Sequence, residues 1–389
     1  MTPSARVQAA IEILDDILAG APAEKALTGW ARRSRFAGSK DRAAIRDHVF
    51  DALRCKRSFA ALGGAETGRG LMLGSFRAEG RDPGSVFTGE RHAPDPVREG
   101  ETGHAPRSEP ERLDIPDWLW PSFSSSLGSE SEPVAKALQC RAPIHLRVNL
   151  RKATVPDAIA ALARDGIEVA RHLACDTALE VTSGARGISQ NSAYLDGMVE
   201  LQDAASQAVV AALNLAPGMR VLDYCAGGGG KTLALAANEG VEVFSHDAAP
   251  GRMQDLPVRA NRAGVKVTTI ETTGIARLAP FDLVLVDAPC SGSGSWRRSP
   301  AGKWALTAER LQELTHIQGD ILAQAASVVS ASGVLAYATC SVLDEENGLV
   351  VETFLQDHPD WVEIHRQSWL VSQGTDGFFT SHLTRNRAR

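Results

Sequence analysis

The stretch RVLDYCAGGGGKTLALAANEGVEVFSHD, Arg220 to Asp247, decides the fold. Arg220 to Tyr224 reads as a buried strand, Cys225 to Lys231 as a glycine turn that opens a helix, and Val241 to His246 as a second strand. Strand, turn, helix, strand is the beginning of a parallel sheet covered by helices. Further candidate strands at Lys266 to Thr269, Leu283 to Asp287 and Val334 to Thr339 extend it, so the predicted fold class is α/β with a Rossmann-like sheet. Ligands in such sheets bind at the carboxyl ends of strands, beside the point where the strand order reverses.

Every motif with chemical content falls at one of those ends. The glycines Gly227, Gly228, Gly229 and Gly230 let the backbone approach a ligand closely, although the run matches neither GxGxxG nor GxxxxGK[ST]. Asp247 ends the next strand, where a carboxylate can accept hydrogen bonds from a ribose diol; the plainer reading is that it caps the following helix. LVLVDAPCSGSGSWRRSP, Leu283 to Pro300, carries Asp287 and then Cys290 into a Gly/Ser loop. LAYATCSVLDEEN, Leu335 to Asn347, delivers Cys340 in the same way, followed by Asp344, Glu345 and Glu346, acidic residues suited to the start of a helix.

A free cysteine is most often a small buried hydrophobe, and Cys55, Cys140, Cys175 and Cys225 are read that way. Cys290 and Cys340 lie in polar loops at the ligand edge, where a thiol can be activated as a thiolate. A thiolate added to carbon 6 of a cytosine makes carbon 5 nucleophilic toward a methyl sulfonium, and a second cysteine can assist the elimination that follows. An acid such as Asp287 near the pyrimidine edge would stabilise the charge of addition. The cysteines show no CxxC spacing, so disulfides and a metal centre are not expected.

The remainder divides by composition. The apolar residues Val7, Ile11, Leu14, Ile17 and Leu18, then Ala44, Ile45, Val49, Phe50 and Leu53, recur at helical spacing and predict a helical unit over residues 1–62. Gly63 to Glu109, rich in Gly, Pro and charge, reads as a linker or loosely packed connection, assigned to residues 63–112. Residues 113–196 read as an aromatic helical connection followed by a small mixed segment, with strands at Ile144 to Leu150, Ile167 to Val169 and Leu179 to Val181 and a helix at Val155 to Asp165. Residues 197–389 hold the large sheet.

With 43% hydrophobic and 23% charged residues among 389, the chain has an ordinary globular composition, and a net charge of -6 argues against indiscriminate coating of nucleic acid. Basic residues cluster locally instead, at Arg32, Arg33, Arg35, Lys40, Arg42, Arg46, Arg54, Lys56 and Arg57, and again at Arg297, Arg298 and Lys303. The latter group, with Trp304, could hold phosphate and stack a base, against the alternative of an ordinary exposed loop. No secretory signal is read at the N-terminus, and the uncharged run Ile321 to Leu343 reads as helix, turn and buried strand rather than a membrane span. A cytoplasmic monomer is expected.

Taken together, RAPIHLRVNLRK (Arg141 to Lys152), LDGMVELQDAASQ (Leu195 to Gln207), the glycine loop, DAPCSGSGSWRRSPAGKW (Asp287 to Trp304), the ATCS and DEEN pieces and GTDGFF (Gly374 to Phe379) resemble the bacterial Sun, or RsmB-type, members of the NOL/NOP/Sun RNA 5-methylcytosine methyltransferases. The resemblance implies that Cys340 attacks carbon 6 and Cys290 promotes release. It implies that S-adenosylmethionine is bound by Cys225, Ala226, Gly227, Gly228, Gly229, Gly230, Lys231 and Asp247, with Asp287 near donor and base. It further implies a class I methyltransferase domain, an RRM-like small segment, an N-terminal NusB-like RNA-binding domain, and a ribosomal RNA partner, most readily 16S. Transfer RNA remains an alternative, as do a DNA cytosine methyltransferase and a non-catalytic assembly factor retaining the fold. Two departures stand out: Gly227-Gly228 replaces Ala-Pro of the family loop, which predicts a looser loop, and the acidic residue expected near the adenine is missing where Glu271 is followed by Thr272 and Thr273.

Overall fold

Apolar residues at helical spacing near the N-terminus form α1 (Pro3–Leu18), α2 (Ala23–Arg33) and α3 (Ser39–Arg54), followed by α4 (Lys56–Gly63) and α5 (Gly68–Ala78). Their shared core includes Val7, Leu14, Leu27, Trp30, Ile45, Val49, Leu53, Leu71 and Leu73. A computed structural model describes residues 1–386 and divides the chain into two compact units: Met1–Arg141 with Trp296–Leu306, and Ala142–Ser295 with the chain from Thr307 onward. The aromatic connection from Leu113 onward therefore belongs with the helices as far as Arg141, and a segment from far along the sequence completes the first unit.

The expected linker needs correction. Its first part is α5, whose Leu71, Met72 and Leu73 are buried. The glycines there serve close packing: a Cβ on Gly74 would lie 1.9 Å from the carbonyl oxygen of Phe59, so α4 and α5 meet backbone to backbone. Residues 79–108 hold little regular structure but are tied down by specific bonds. Arg69 grips Glu101 at 2.6 and 2.8 Å, and the His104 amide donates to the Ala61 carbonyl at 2.8 Å.

In the second unit, β1 (His145–Val148), β2 (Glu168–Arg171), β3 (Ala178–Ser183) and β4 (Val199–Leu201) form an antiparallel sheet in the order β2-β3-β1-β4, covered by the helix Val155–Arg164. The larger sheet comprises β5 (Arg220–Asp223), β6 (Glu242–Ser245), β7 (Thr268–Thr269), β8 (Phe281–Asp287), β9 (Val329–Thr339), β10 (Trp361–Trp369) and β11 (Phe378–Arg385), ordered β10-β11-β9-β8-β5-β6-β7. The strands β5 to β9 pair in parallel, and β11 joins β9 antiparallel. Because β8 and β9 are covered on both faces, they read as continuous apolar runs. Val284, Val286, Leu335 and Tyr337 enter one core with Leu322, Val351 and Phe354, while Leu283, Leu285, Ala336 and Ala338 enter the other with Ala205, Val209 and Leu235.

The strands β10 and β11 were not anticipated. The run Ile321 to Leu343 is, as expected, the end of the helix Ala308–Ala326, a turn and β9; among the described residues no helix is long and apolar enough to cross a membrane.

Candidate active site

The strand order reverses between β5 and β8, and the carboxyl ends of β5, β6, β8 and β9 present the glycine loop, Asp247, Asp287 with Cys290, and Cys340 in turn. Lys231, almost fully buried on the first turn of the helix Gly230–Ala236, donates to Asp287 Oδ2 at 2.8 Å. Burial alone would lower the Lys231 pKa, but the Asp287 charge and hydrogen bond, with Cys340 nearby, raise it, so the ammonium is firmly cationic.

Cys290 Sγ and Cys340 Sγ are 3.4 Å apart, both free thiols. The Cys290 S–H, donated to Cys340, moves the Cys340 pKa below the usual thiol value against the pull of burial, with Lys231 and Ser295 assisting. Cys290 moves the opposite way, well above it, through the same hydrogen bond, burial and the neighbouring Glu346. The same hydrogen bond thus pushes the two thiols in opposite directions, Cys340 toward the thiolate and Cys290 away from it.

What holds the pair together is Glu346, which sequence reasoning placed as a helix-opening acid. It is fully buried. Its Oε1 accepts from the Ser291 amide at 2.7 Å and Gln318 Nε2 at 3.1 Å, and its Oε2 accepts from the hydroxyls of Ser291 and Ser341. Ser291 and Ser341 directly follow the two cysteines, so one carboxylate fixes both loops. Ser293 Oγ meets Ser341 Oγ at 2.9 Å, and Gly294 donates its amide to the Cys340 carbonyl at 2.9 Å. Glu346 and Gln318 are the residues the sequence did not reveal; the signal available was a third acidic residue in a turn too short to need it.

At the end of β6, Asp247 Oδ2 accepts from the Gly227 amide at 2.8 Å and Oδ1 from the Ala249 amide at 2.8 Å. It therefore turns the backbone that follows it, as the capping alternative expects, and also braces the glycine loop. The loosening expected of Gly227-Gly228 is not what the loop displays. Besides Asp247, the Arg259 guanidinium donates to the Gly228 carbonyl, and the Gly229 amide to Ala226 at 2.8 Å. At Gly229, φ is +81° and a Cβ would lie 2.5 Å from Leu256 Cδ1, so only glycine serves. Beneath the loop Asp223 is wholly buried with Thr232 Oγ1 donating to Oδ2 at 2.6 Å, and burial pushes its pKa up to about 7. Cys225 is a half-buried thiol packed against the core, with its pKa raised by burial, and both ring nitrogens of His246 are engaged, by the Tyr224 carbonyl and Thr272. Glu271 is exposed at the start of the helix Thr272–Leu278.

Three of the four residues read as RNA contacts are instead internal to the helical unit. Lys303 is 1% exposed and donates to the Arg54 carbonyl at 3.1 Å; Trp304 Nε1 donates to the Leu53 carbonyl at 2.7 Å. These are carbonyls that the end of α3 leaves without helical partners, and the basic and indole groups cap them. Burial lowers the Lys303 pKa to about 8, with Asp114 opposing. Arg297 is 3% exposed and its carbonyl accepts from Arg54 Nε at 2.7 Å; only Arg298 of the four is exposed. Of the N-terminal basic residues, Arg32, Arg33, Arg35, Lys40 and Arg42 are exposed.

The model of the family described as 16S rRNA methyltransferase RsmB/F matches residues 210–384, and that of the ferredoxin-like domain of RsmF/B-like methyltransferases matches residues 115–186. The probable ribosomal RNA small subunit methyltransferase B of Synechocystis sp. is 30% identical over 282 residues, 70% of this chain and 63% of that protein. The chain thus spans slightly less than two thirds of that relative. The ribosomal RNA small subunit methyltransferase B of Vibrio cholerae serotype O1 is 30% identical over 303 residues, 74% of this chain and 69% of that protein. Among solved structures, that of PH0851 superposes with a TM-score of 0.78 at 25% identity, covering 99% of each chain.

Proposed function

The chain belongs to the RsmB/F family of 16S rRNA methyltransferases, and from that membership we propose that it methylates carbon 5 of a cytosine in small-subunit ribosomal RNA through a covalent bond to Cys340. The observation that carries the reading is the 3.4 Å thiol pair, polarised so that Cys340 is the thiolate and Cys290 the proton holder.

The Cys340 thiolate adds to carbon 6: the Sγ–C6 bond forms and the C5–C6 π pair moves toward carbon 5. Asp287, held through Oδ2 by Lys231, directs its other oxygen to the amino edge of the base, while the Lys231 ammonium offsets the negative charge that addition places on the ring. S-adenosylmethionine, when bound, would supply an electrophilic methyl group to the carbon 5 pair, the broken S–CH3 bond leaving its pair on sulfur as a neutral thioether. The residues fit such a donor: Gly227 to Gly230 carry no side chains, with Gly228 exposed, and the carboxylates of Asp247 and Asp287 suit a molecule with a ribose diol and a cationic sulfonium. For release, the carbon 5 proton passes to solvent, its bonding pair restores the C5–C6 double bond, and the C6–S pair returns to Cys340. The Cys290 S–H stabilises that departing thiolate.

A flipped or unpaired cytosine is required for the thiolate to reach carbon 6. The exposed Arg32, Arg33, Arg35, Lys40 and Arg42 of the helical unit supply phosphate contacts that position RNA without reading its sequence. The setting of the reaction is then the cytoplasm, where bacterial ribosomal RNA is made.

The test incubates the protein with labelled S-adenosylmethionine and small-subunit ribosomal RNA. Wild type should label cytosine; Cys340→Ala should abolish labelling; Cys290→Ala should leave a protein–RNA adduct on a denaturing gel. An adduct in Cys340→Ala, or no labelling of any RNA by wild type, overturns the reading.

A further inference from the structure

On the small antiparallel sheet, away from the thiols in sequence, the strand register assembles a second cluster. His145 of β1 lies directly across from Glu180 of β3, and Ala170 of β2 pairs with Glu180 on its other side. His172, two residues after Ala170, therefore projects on the same face. One ring nitrogen of each histidine and a carboxylate oxygen of Glu180 lie within 4.8 Å of one another, and the two rings meet edge to face with centroids 4.9 Å apart. The opposite face of the sheet, with Leu146, Val148 and Leu179, packs on the hydrophobic core beneath.

His145 is the decisive residue. Its side chain is 0% exposed, its Nδ1 lies 3.0 Å from Asp203 Oδ2 and 3.3 Å from the Ala204 amide nitrogen, and its Nε2 has no hydrogen-bond partner among the described residues. With the N–H on Nδ1 donated to the Asp203 carboxylate, the nearer of its two partners, the Nε2 lone pair is left buried and unused, which is unfavourable unless a cation or an N–H takes it up. A carboxylate bonded to the far nitrogen of an imidazole is the arrangement that fixes the ring and raises its basicity toward a cation. His172 receives the Ala174 amide on Nδ1 at 3.2 Å, and its Nε2 approaches Gly374, where the missing side chain leaves room.

We propose that His145, His172 and Glu180 form a binding site for a divalent cation of the zinc class, with Asp203 holding the His145 ring from outside. Two imidazoles and a carboxylate are the donors that borderline metals such as zinc prefer. Bonds of about 2.0–2.2 Å to the metal require the donors to draw together from their present spacing, within reach of rotation at His172 and Glu180, both only half-buried. The fourth position of a tetrahedral site stays with solvent. Bound there, the cation joins three strands of the small sheet to Asp203, whose carboxylate also accepts the Asp376 amide at 3.1 and 3.2 Å, and so ties that sheet to the loop that leads into β11. The expectation of no metal was drawn from the cysteines, and the cluster contains none of them.

The experiment is equilibrium dialysis of the chelator-stripped, full-length protein against zinc chloride, followed by elemental analysis. Wild type should retain a single equivalent. His172→Gln and Glu180→Gln should each weaken retention at least about tenfold, and Asp203→Asn about ten- to a hundredfold. Cys290→Ser and Cys340→Ser should retain the full equivalent. Cobalt in place of zinc should give visible d–d bands without a thiolate charge-transfer band. Absence of retained zinc in wild type, unchanged retention in both His172→Gln and Glu180→Gln, or a thiolate band with cobalt overturns the proposal. Because His172 and Glu180 are half-buried, their variants keep the test open should His145→Ala fail to fold.

Discussion

Cys290 Sγ and Cys340 Sγ touch at 3.4 Å across a sequence separation of 50 residues, and their hydrogen bond raises the Cys290 pKa while lowering that of Cys340. Removing that proton donor takes away the hydrogen bond that most favours the Cys340 thiolate, so its pKa must rise. In Cys290→Ala, the pH midpoint for alkylation of Cys340 by iodoacetamide should shift upward, read by mass spectrometry of the modified peptide. A midpoint equal to wild type would mean that Lys231 and Ser295 alone poise Cys340.

Glu346 accepts four hydrogen bonds in a site with no exposure, and three of them come from Ser291 and Ser341, the residues adjacent to the thiols. In Glu346→Gln an amide N–H₂ must face donors, leaving them unsatisfied. We expect a loss of about 2–3 kcal/mol in urea-induced unfolding, accompanied by weaker coupling of the thiols. Unchanged stability would show that the loops are fixed by backbone bonds instead.

Asp223 titrates near pH 7 in the folded protein because burial disfavours its charge, with Asp287 and Asp247 adding to the rise and Thr232 opposing it. An unfolded aspartate titrates near 3.9, so between about pH 4 and pH 7 the folded state binds a proton that the unfolded state releases. This group's contribution to stability therefore falls as pH rises through that window. Asp223→Asn keeps the oxygen that Thr232 needs and has no titration, so the stability of wild type relative to the variant should decline by on the order of a few kcal/mol from pH 4 to pH 7. A constant difference across that range would refute the assignment.

At Gly74 a Cβ would overlap the Phe59 carbonyl, whereas at Gly319, inside the helix Ala308–Ala326, it would meet nothing within 4 Å. Gly74→Ala should destabilise by about 1–3 kcal/mol, and Gly319→Ala should stabilise by up to about 1 kcal/mol. Chemical denaturation separates the two. Equal effects would mean that α4 and α5 can part without loss.

The parallel sheet was legible because buried strands are apolar throughout and each ends in a loop of unusual composition, as at Asp223, Asp287 and Thr339. The thiol pair was legible for the same reason. β10 was not: as an edge strand it exposes Val362 and Ile364 and alternates them with Glu363 and His365, so no apolar run announces it. Glycine misled where it marks close contact, at Gly70 and Gly74, rather than freedom. Charge misled at Lys303, which donates to the Arg54 carbonyl of α3, 249 residues earlier, a relation no local pattern carries. Glu346 and His145 were hidden likewise, since their meaning lies in atoms brought up by other strands.

The segment Trp296–Leu306 has a consequence for the order in which the protein can be made. It buries Trp296, Arg297 and Lys303 within the helical unit and closes the carbonyl end of α3. During synthesis α1 to α5 emerge first, yet their unit stays incomplete until the ribosome has also translated the glycine loop, β8 and Cys290. Maturation of the N-terminal helices therefore waits on the chain that follows Cys290, and a fragment ending at Arg141 would leave the ribosome with the Leu53 and Arg54 carbonyls still open.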